Sequence, residues 1–135
     1  MLIQYRTSRS KMDRLGIDVI YKIPRMKKYL MDARRRGESF TKLLIPIDGV
    51  TAKTFKLVIE WLSHRCYCFG KCYYEKQTFC PIMESFLERN RGRLFRLFLA
   101  ADYLELEKLK FLIFSIFLKE LKEKSLKEFC HEFCS

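Results

Sequence analysis

The sequence predicts an α+β domain in which helices pack a small three-stranded sheet. Three observations carry this. Short stretches at 2–7, 16–21 and 42–47 show apolar residues at alternate positions, the period of a strand. The rest of the chain is mostly helical in its periodicity, and the stretches 92–106 and 107–122 follow one another at once. With 49% apolar residues, only 5 Gly and 3 Pro in 135 residues, the chain is globular, forms one domain and can bury a core.

Taken in order, residues 2–7 read as a strand with Ile3 and Tyr5 turned inward. Residues 9–14 are charged and turn-like. Residues 16–21 read as a second strand, with Ile17, Val19 and Tyr21 sharing a face. Pro24 suits the first turn of a helix. Met26, Tyr29, Leu30 and Ala33 give that helix its stripe, and Gly37 supplies the stop. A third strand at 42–47 alternates Leu43, Ile45 and Ile47, and Asp48-Gly49 signals a turn.

Thr51 is placed to cap the next helix, whose buried stripe is Phe55, Val58, Ile59 and Leu62, with Trp61 beside it. Residues 66–80, rich in Cys and Tyr, read as a loop. Ile82, Phe86 and Leu87 anchor it through a short helix or turn. In 92–106, Leu94, Leu97, Phe98 and Ala101 share a face, and Phe95, Leu99 and Ala100 widen it, so the helix is expected to lie inside the domain. Asp102 and Tyr103 follow where this helix ends and are presented at a surface. The next helix carries Leu109, Leu112, Ile113, Ile116 and Phe117 on one strip and Phe111, Phe114, Leu118 and Leu121 on a second. Ser125 caps a last short helix ending near Phe133.

The net charge of +11 favours nucleic acid, acidic proteins or membrane surfaces as partners. Lys22, Arg25, Lys27, Lys28, Arg34, Arg35 and Arg36 are dense, yet no groove-reading element or stacking sheet accompanies them, so they read as a solvated face. The longest apolar run, 111–118, falls short of the roughly 20 residues of a membrane span. Residues 1–9 lack the apolar core of a signal peptide, so a reducing compartment, cytoplasm or nucleus, is expected despite 6 Cys.

Catalytic signatures are missing from the sequence. There are 2 His, and no Gly-rich phosphate loop, nucleophile elbow or HExxH pattern. A thiol nucleophile at Cys66 or Cys72, beside His64, is the enzyme alternative. Cys66, Cys68, Cys72 and Cys80, with His64, offer enough donors for tetrahedral zinc. Their spacing is not the paired C-x2-C of a strong zinc signature, so ordinary thiols are the simpler reading. Cys130, His131 and Cys134 offer three more donors. Neither a cofactor nor a small-molecule substrate is expected.

The stretch Gly92, Leu94, Phe95, Leu97, Ala100, Ala101, Asp102, Tyr103, Leu104, Leu106 resembles the pattern G-x-L-F-x-L-x-x-A-A-N-Y-L-x-I of the Skp family, the adaptors between cullin and F-box protein in SCF ubiquitin ligases. Lys122, Lys124, Ser125, Glu128, Phe129 and Phe133 resemble that family's K-G-K-T-P-E-E-I-x-x-x-F. Residues 45–65 resemble its L-P-N-V-x-x-x-x-L-x-x-V-I-x-W-x-x-H. The resemblance spans 44–133 and implies a BTB/POZ-like fold over 1–106, followed by a truncated C-terminal helical segment over 107–135.

The resemblance also implies sites and partners. The family's Asn-Tyr pair meets the N-terminal helices of a cullin, and Asp102 and Tyr103 stand there in this chain. Asp for Asn adds a charge and removes two donors. Alternatively Tyr103 packs the end of its helix and Asp102 caps the next. The F-box face would come from Phe114, Phe117, Leu118, Leu121, Phe129 and Phe133; the competing reading packs them as core. The family has two more helices after this point that clasp the F-box, and the chain ends two residues past Phe133. Further departures are the basic charge, a loop that has lost its acidity, and Lys108 and Leu126 in place of Gly and Pro.

The expected function is thus a non-enzymatic adaptor in cullin-based ubiquitin ligation, binding a cullin N-terminal domain and an F-box protein. One alternative is a BTB-fold interaction or oligomerisation module without a ligase role. Another is a basic nucleic-acid-binding domain.

Overall fold

The computed structural model describes residues 1–63 and 81–133. The fold is α+β, with a small three-stranded sheet and helices packed around it. Strands β1 (Leu2–Arg6) and β2 (Met12–Gly16) form an antiparallel hairpin, and β3 (Leu44–Pro46) joins β1 in parallel, giving the order β2-β1-β3. Ile3 pairs with Leu15 and Tyr5 with Ile45. Ile3 is fully buried and Tyr5 packs its ring against Phe55 at 4.9 Å, so β1 faces the core as expected.

The hairpin turn lies earlier than the sequence suggests. The Thr7 N–H donates to the Lys11 carbonyl at 2.8 Å, and Arg9 and Ser10 adopt left-handed φ values of 61° and 57°. The return strand therefore begins at Met12, within the stretch expected to be a turn. Its Met12, Asp13 and Arg14 are exposed, because β2 is an edge strand with solvent beside it. Charged edges are common and erase the alternating signal.

Residues 16–21 are not the second strand. Gly16 faces Leu2, the Ile17 N–H donates to the Met1 carbonyl at 3.2 Å, and the ladder ends there. Unpaired backbone groups must find partners, and a helix supplies them locally. The chain turns into α1 (Ile17–Ile20) and buries Ile20 completely, with Ile23 following into the core.

Helix α2 (Pro24–Arg35) has its proline in the first turn and buries Met26, Leu30 and Ala33. It ends in a paired cap. The Glu38 N–H donates to the Ala33 carbonyl and the Gly37 N–H to the Arg34 carbonyl, both at 3.0 Å, with Gly37 at φ 74°. This is the Schellman arrangement, for which glycine is suited. Leu43, Ile45 and Ile47 are buried around β3. Helix α3 (Ala52–Ser63) is capped by Thr51, whose hydroxyl oxygen accepts from the Thr54 N–H at 3.2 Å. Phe55, Val58 and Trp61 are buried, while Ile59 and Leu62 are half-buried.

Helix α4 (Pro81–Arg89) buries Phe86 and Leu87. The buried Asn90 amide donates to the Phe86 carbonyl at 2.8 Å and closes that helix. After a 3-10 turn (Arg91–Arg93) come α5 (Leu94–Tyr103), α6 (Glu107–Glu123) and α7 (Leu126–Phe133). Ser125 caps α7 by accepting from the Glu128 N–H at 3.3 Å.

Helix α5 packs against α3 and α6. It is not apolar all round in the sense of being enclosed. Leu94, Leu97, Ala100 and Ala101 are buried, but Phe95 and Leu99 are exposed. Among the described residues its neighbours cover only part of the circumference, and the side with Phe95 and Leu99 is exposed. No helix among the described residues is long and apolar enough to cross a membrane.

Candidate functional site

The elbow between α5 and α6 is built by a second Schellman turn. The Leu106 N–H donates to the Ala101 carbonyl at 2.8 Å, and the Glu105 N–H to the Asp102 carbonyl at 3.2 Å. Glu105 holds φ at 62°, a left-handed conformation that costs a side-chain-bearing residue energy. Leu104 and Leu106 are buried on either side and clamp the turn. Asp102 is thereby left exposed and Tyr103 half-buried.

Tyr103 is held by two contacts from distant segments. The Arg25 guanidinium carbon sits 3.9 Å from the ring centroid, and its Nη1 donates to the Tyr103 carbonyl at 3.2 Å. The ring also approaches Gly49 so closely that a Cβ there would lie 2.5–2.9 Å from ring carbons. Glycine at 49 is thus required by contact with Tyr103. Asp102 does not cap α6, whose N-cap is Leu106. Its carboxylate pairs with Lys110 at 2.7 Å, and this hydrogen bond raises the Lys110 ammonium above its ordinary value. Lys28 pairs with Glu105 at 2.7 Å. The residues expected to meet a cullin therefore lie together at one elbow. A positive fringe of Arg25, Lys28 and Lys110 surrounds them.

The six residues expected on the F-box face are divided by the structure. Phe117, Phe129 and Phe133 are buried. Phe117 lies 5.2 Å from Phe129 and 5.4 Å from Phe133 between ring centroids, both near edge-to-face. Phe129 and Phe133 are 4.9 Å apart. This aromatic cluster attaches α7 to α6. Phe114, Leu118 and Leu121 instead remain 46%, 46% and 44% exposed, with Phe111 at 53%. These four recur at i, i+3, i+7 and i+10, so they form one straight stripe along α6.

A ring of four charges locks the same corner. Glu120 of α6 accepts from Arg91 at 2.5 Å and from Lys124 at 2.9 Å; Glu132 of α7 accepts from the same two cations. Arg91 also lies over the Phe133 ring, 4.8 Å from its centroid. Glu120 is held below the usual carboxylate range, first by Arg91 and then by Lys124; Glu132 is lowered first by Lys124 and then by Arg91. Burial pulls Arg91 down, and its bonds to Glu120 and Glu132 outweigh this and raise it. Sequence reasoning missed this ring. The i,i+4 pair Glu120 and Lys124 was its one visible trace.

The basic residues of α2 and its flanks are exposed, and most have partners inside the chain. Lys27 lies 5.8 Å from the Tyr21 ring, Arg35 is 3.8 Å from Asp32, and Arg36 pairs with Glu38 at 2.9 Å. The candidate zinc donors His64, Cys66, Cys68, Cys72 and Cys80 lie outside the described residues, as does Cys134. So does the loop expected over 66–80. Among the described residues, no group of three or more His, Cys, Asp or Glu is placed to hold a metal.

No protein-family model matches the chain, and no curated protein matches its sequence. Fold and surface together define an α+β domain with two presented features, a tyrosine elbow and a partly exposed apolar helix face.

Proposed function

We propose that this chain is a Skp-like adaptor of BTB/POZ type that joins a cullin to an F-box-type substrate receptor in a ubiquitin ligase. The observation that carries the reading is the α5–α6 pair. Its elbow offers Asp102 and Tyr103, and its second helix offers the stripe of Phe111, Phe114, Leu118 and Leu121, so one pair of helices presents two surfaces. The mechanism is geometric rather than chemical. Residues 1–106 supply the cullin-facing elbow, and 107–135 supply the receptor-facing helices. Tyrosine is a common interface anchor, with a ring to bury and a hydroxyl to satisfy. Tyr103 is pre-positioned by Arg25 and Gly49, so little ordering remains to be done on binding. Asp102 is neutralised by Lys110, which offsets the charge that a family-type asparagine would not carry.

The test is calorimetric titration of the reduced protein with a cullin N-terminal domain, repeated with Tyr103→Lys. Saturable binding at physiological salt that the variant loses is the expected result. Equal binding by the variant, or none by the parent, rejects the reading as sited here.

A further inference from the structure

The stripe on α6 has the spacing along which a second helix seats its side chains. It is continuous with α5, because Phe114 stacks on Phe98 at 6.4 Å and Phe95 and Leu99 of α5 are exposed. Apart from Glu107, which stands in line with the stripe one turn before Phe111, the charges beside it are positive. Lys119 and Lys122 are exposed on α6, and exposed Arg96 stands between Phe95 and Leu99 on α5. The acidic residues of α6 do not balance them locally. Glu120 is turned to Arg91 and Lys124, and Glu107 and Glu123 sit at the two ends of the helix. A second copy of the chain would bring lysine against lysine across this face, on a molecule already at +11.

We infer that this face selects an amphipathic helix of another protein whose apolar stripe is flanked by aspartate or glutamate. The inference rests on the adaptor reading, which makes the face a receptor-docking surface, and adds the charge by which the receptor helix is chosen. Apolar side chains supply the contact area, and Lys119, Lys122 and Arg96 discriminate between helices of equal hydrophobicity.

Two synthetic helical peptides with the same leucine stripe test this, one flanked by glutamate and one by lysine. Each is titrated by fluorescence anisotropy into the full chain and into two variants, Lys119→Glu/Lys122→Glu and Leu118→Asp. All three substituted residues are exposed, and circular dichroism verifies that the variants fold. The glutamate-flanked peptide should bind the parent about tenfold more tightly than the lysine-flanked one, as two surface charge pairs permit. The double variant should reverse that preference, and Leu118→Asp should abolish both. Equal binding of the two peptides, an unchanged preference in the double variant, or full binding by Leu118→Asp overturns the inference. Self-association of the parent that Leu118→Asp removes, with neither peptide bound, also overturns it in favour of a second copy. The cullin titration is read at Tyr103. Peptide failure with cullin binding intact therefore sinks this inference alone, and cullin failure with peptide selectivity intact sinks the adaptor reading alone.

Discussion

Arg25 and Tyr103 are locked together across the fold: the guanidinium of one helix covers the ring that ends another, and the same arginine donates to the tyrosine's own carbonyl. Gly49 also lies against the ring, with no room for a Cβ between them. The elbow is thus set by three segments distant in sequence.

Gly49→Ala should displace the ring. Overpacking of this kind costs about 1–3 kcal/mol, to be read as a lower thermal midpoint, with cullin binding weakened in parallel. Arg25→Ala should cost less, about 0.5–1 kcal/mol, because the contact is exposed. An unchanged midpoint for Gly49→Ala would mean that the ring moves aside freely.

Glu105 offers the opposite opportunity. Its left-handed φ of 62° is one that glycine adopts without strain. Glu105→Gly should stabilise the chain by about 1 kcal/mol, reduced by whatever the exposed pair with Lys28 contributes. Chemical denaturation measures this. A loss of stability would show that the Lys28 pair outweighs the backbone strain.

Neighbouring residues on α6 should respond very differently to truncation. Phe117→Ala removes a buried ring from the aromatic cluster and should cost about 3–5 kcal/mol. Leu118→Ala, one position on, should change stability by less than about 0.5 kcal/mol while weakening any helix docked on the stripe. Thermal melts of the two variants side by side give the comparison.

Acid should release α7. Glu120 and Glu132 are both held below their ordinary value of 4.5 in the folded chain, so the folded state binds fewer protons than the unfolded state in that range. Their stabilisation is present in full above that ordinary value and is lost as pH falls through the lowered folded values. The protection of α7 amides against hydrogen exchange, taken relative to the intrinsic rate at each pH, should fall below it. Glu132→Gln should flatten this dependence, and an unaltered pH profile would show that the ring of charges does not hold the helix.

Local chemistry was enough to read much of this molecule. Pro24 and Gly37 bracket α2, Thr51 and Ser125 cap α3 and α7, and Asp48-Gly49 makes its turn, because each acts on neighbours a few residues away. The pair Asp102 and Tyr103 was legible as an exposed elbow for the same reason. The stretch 16–21 was misread because pairing decides a strand. The partner of Gly16 is Leu2, and nothing within 16–21 says that the ladder ends there.

The amino-acid order by itself determined where α2, α3 and α7 begin, that α6 carries two apolar strips, and that the chain is strongly basic. Only the tertiary structure decided which strip is covered. Phe117 is buried since α7 brings Phe129 and Phe133 against it, whereas Phe114, touched at one side by Phe98 of α5, stays 46% exposed, and so do Leu118 and Leu121 at 46% and 44%. Helical periodicity assigns residues to a face, but burial depends on what packs there, and that is a property of distant segments brought together.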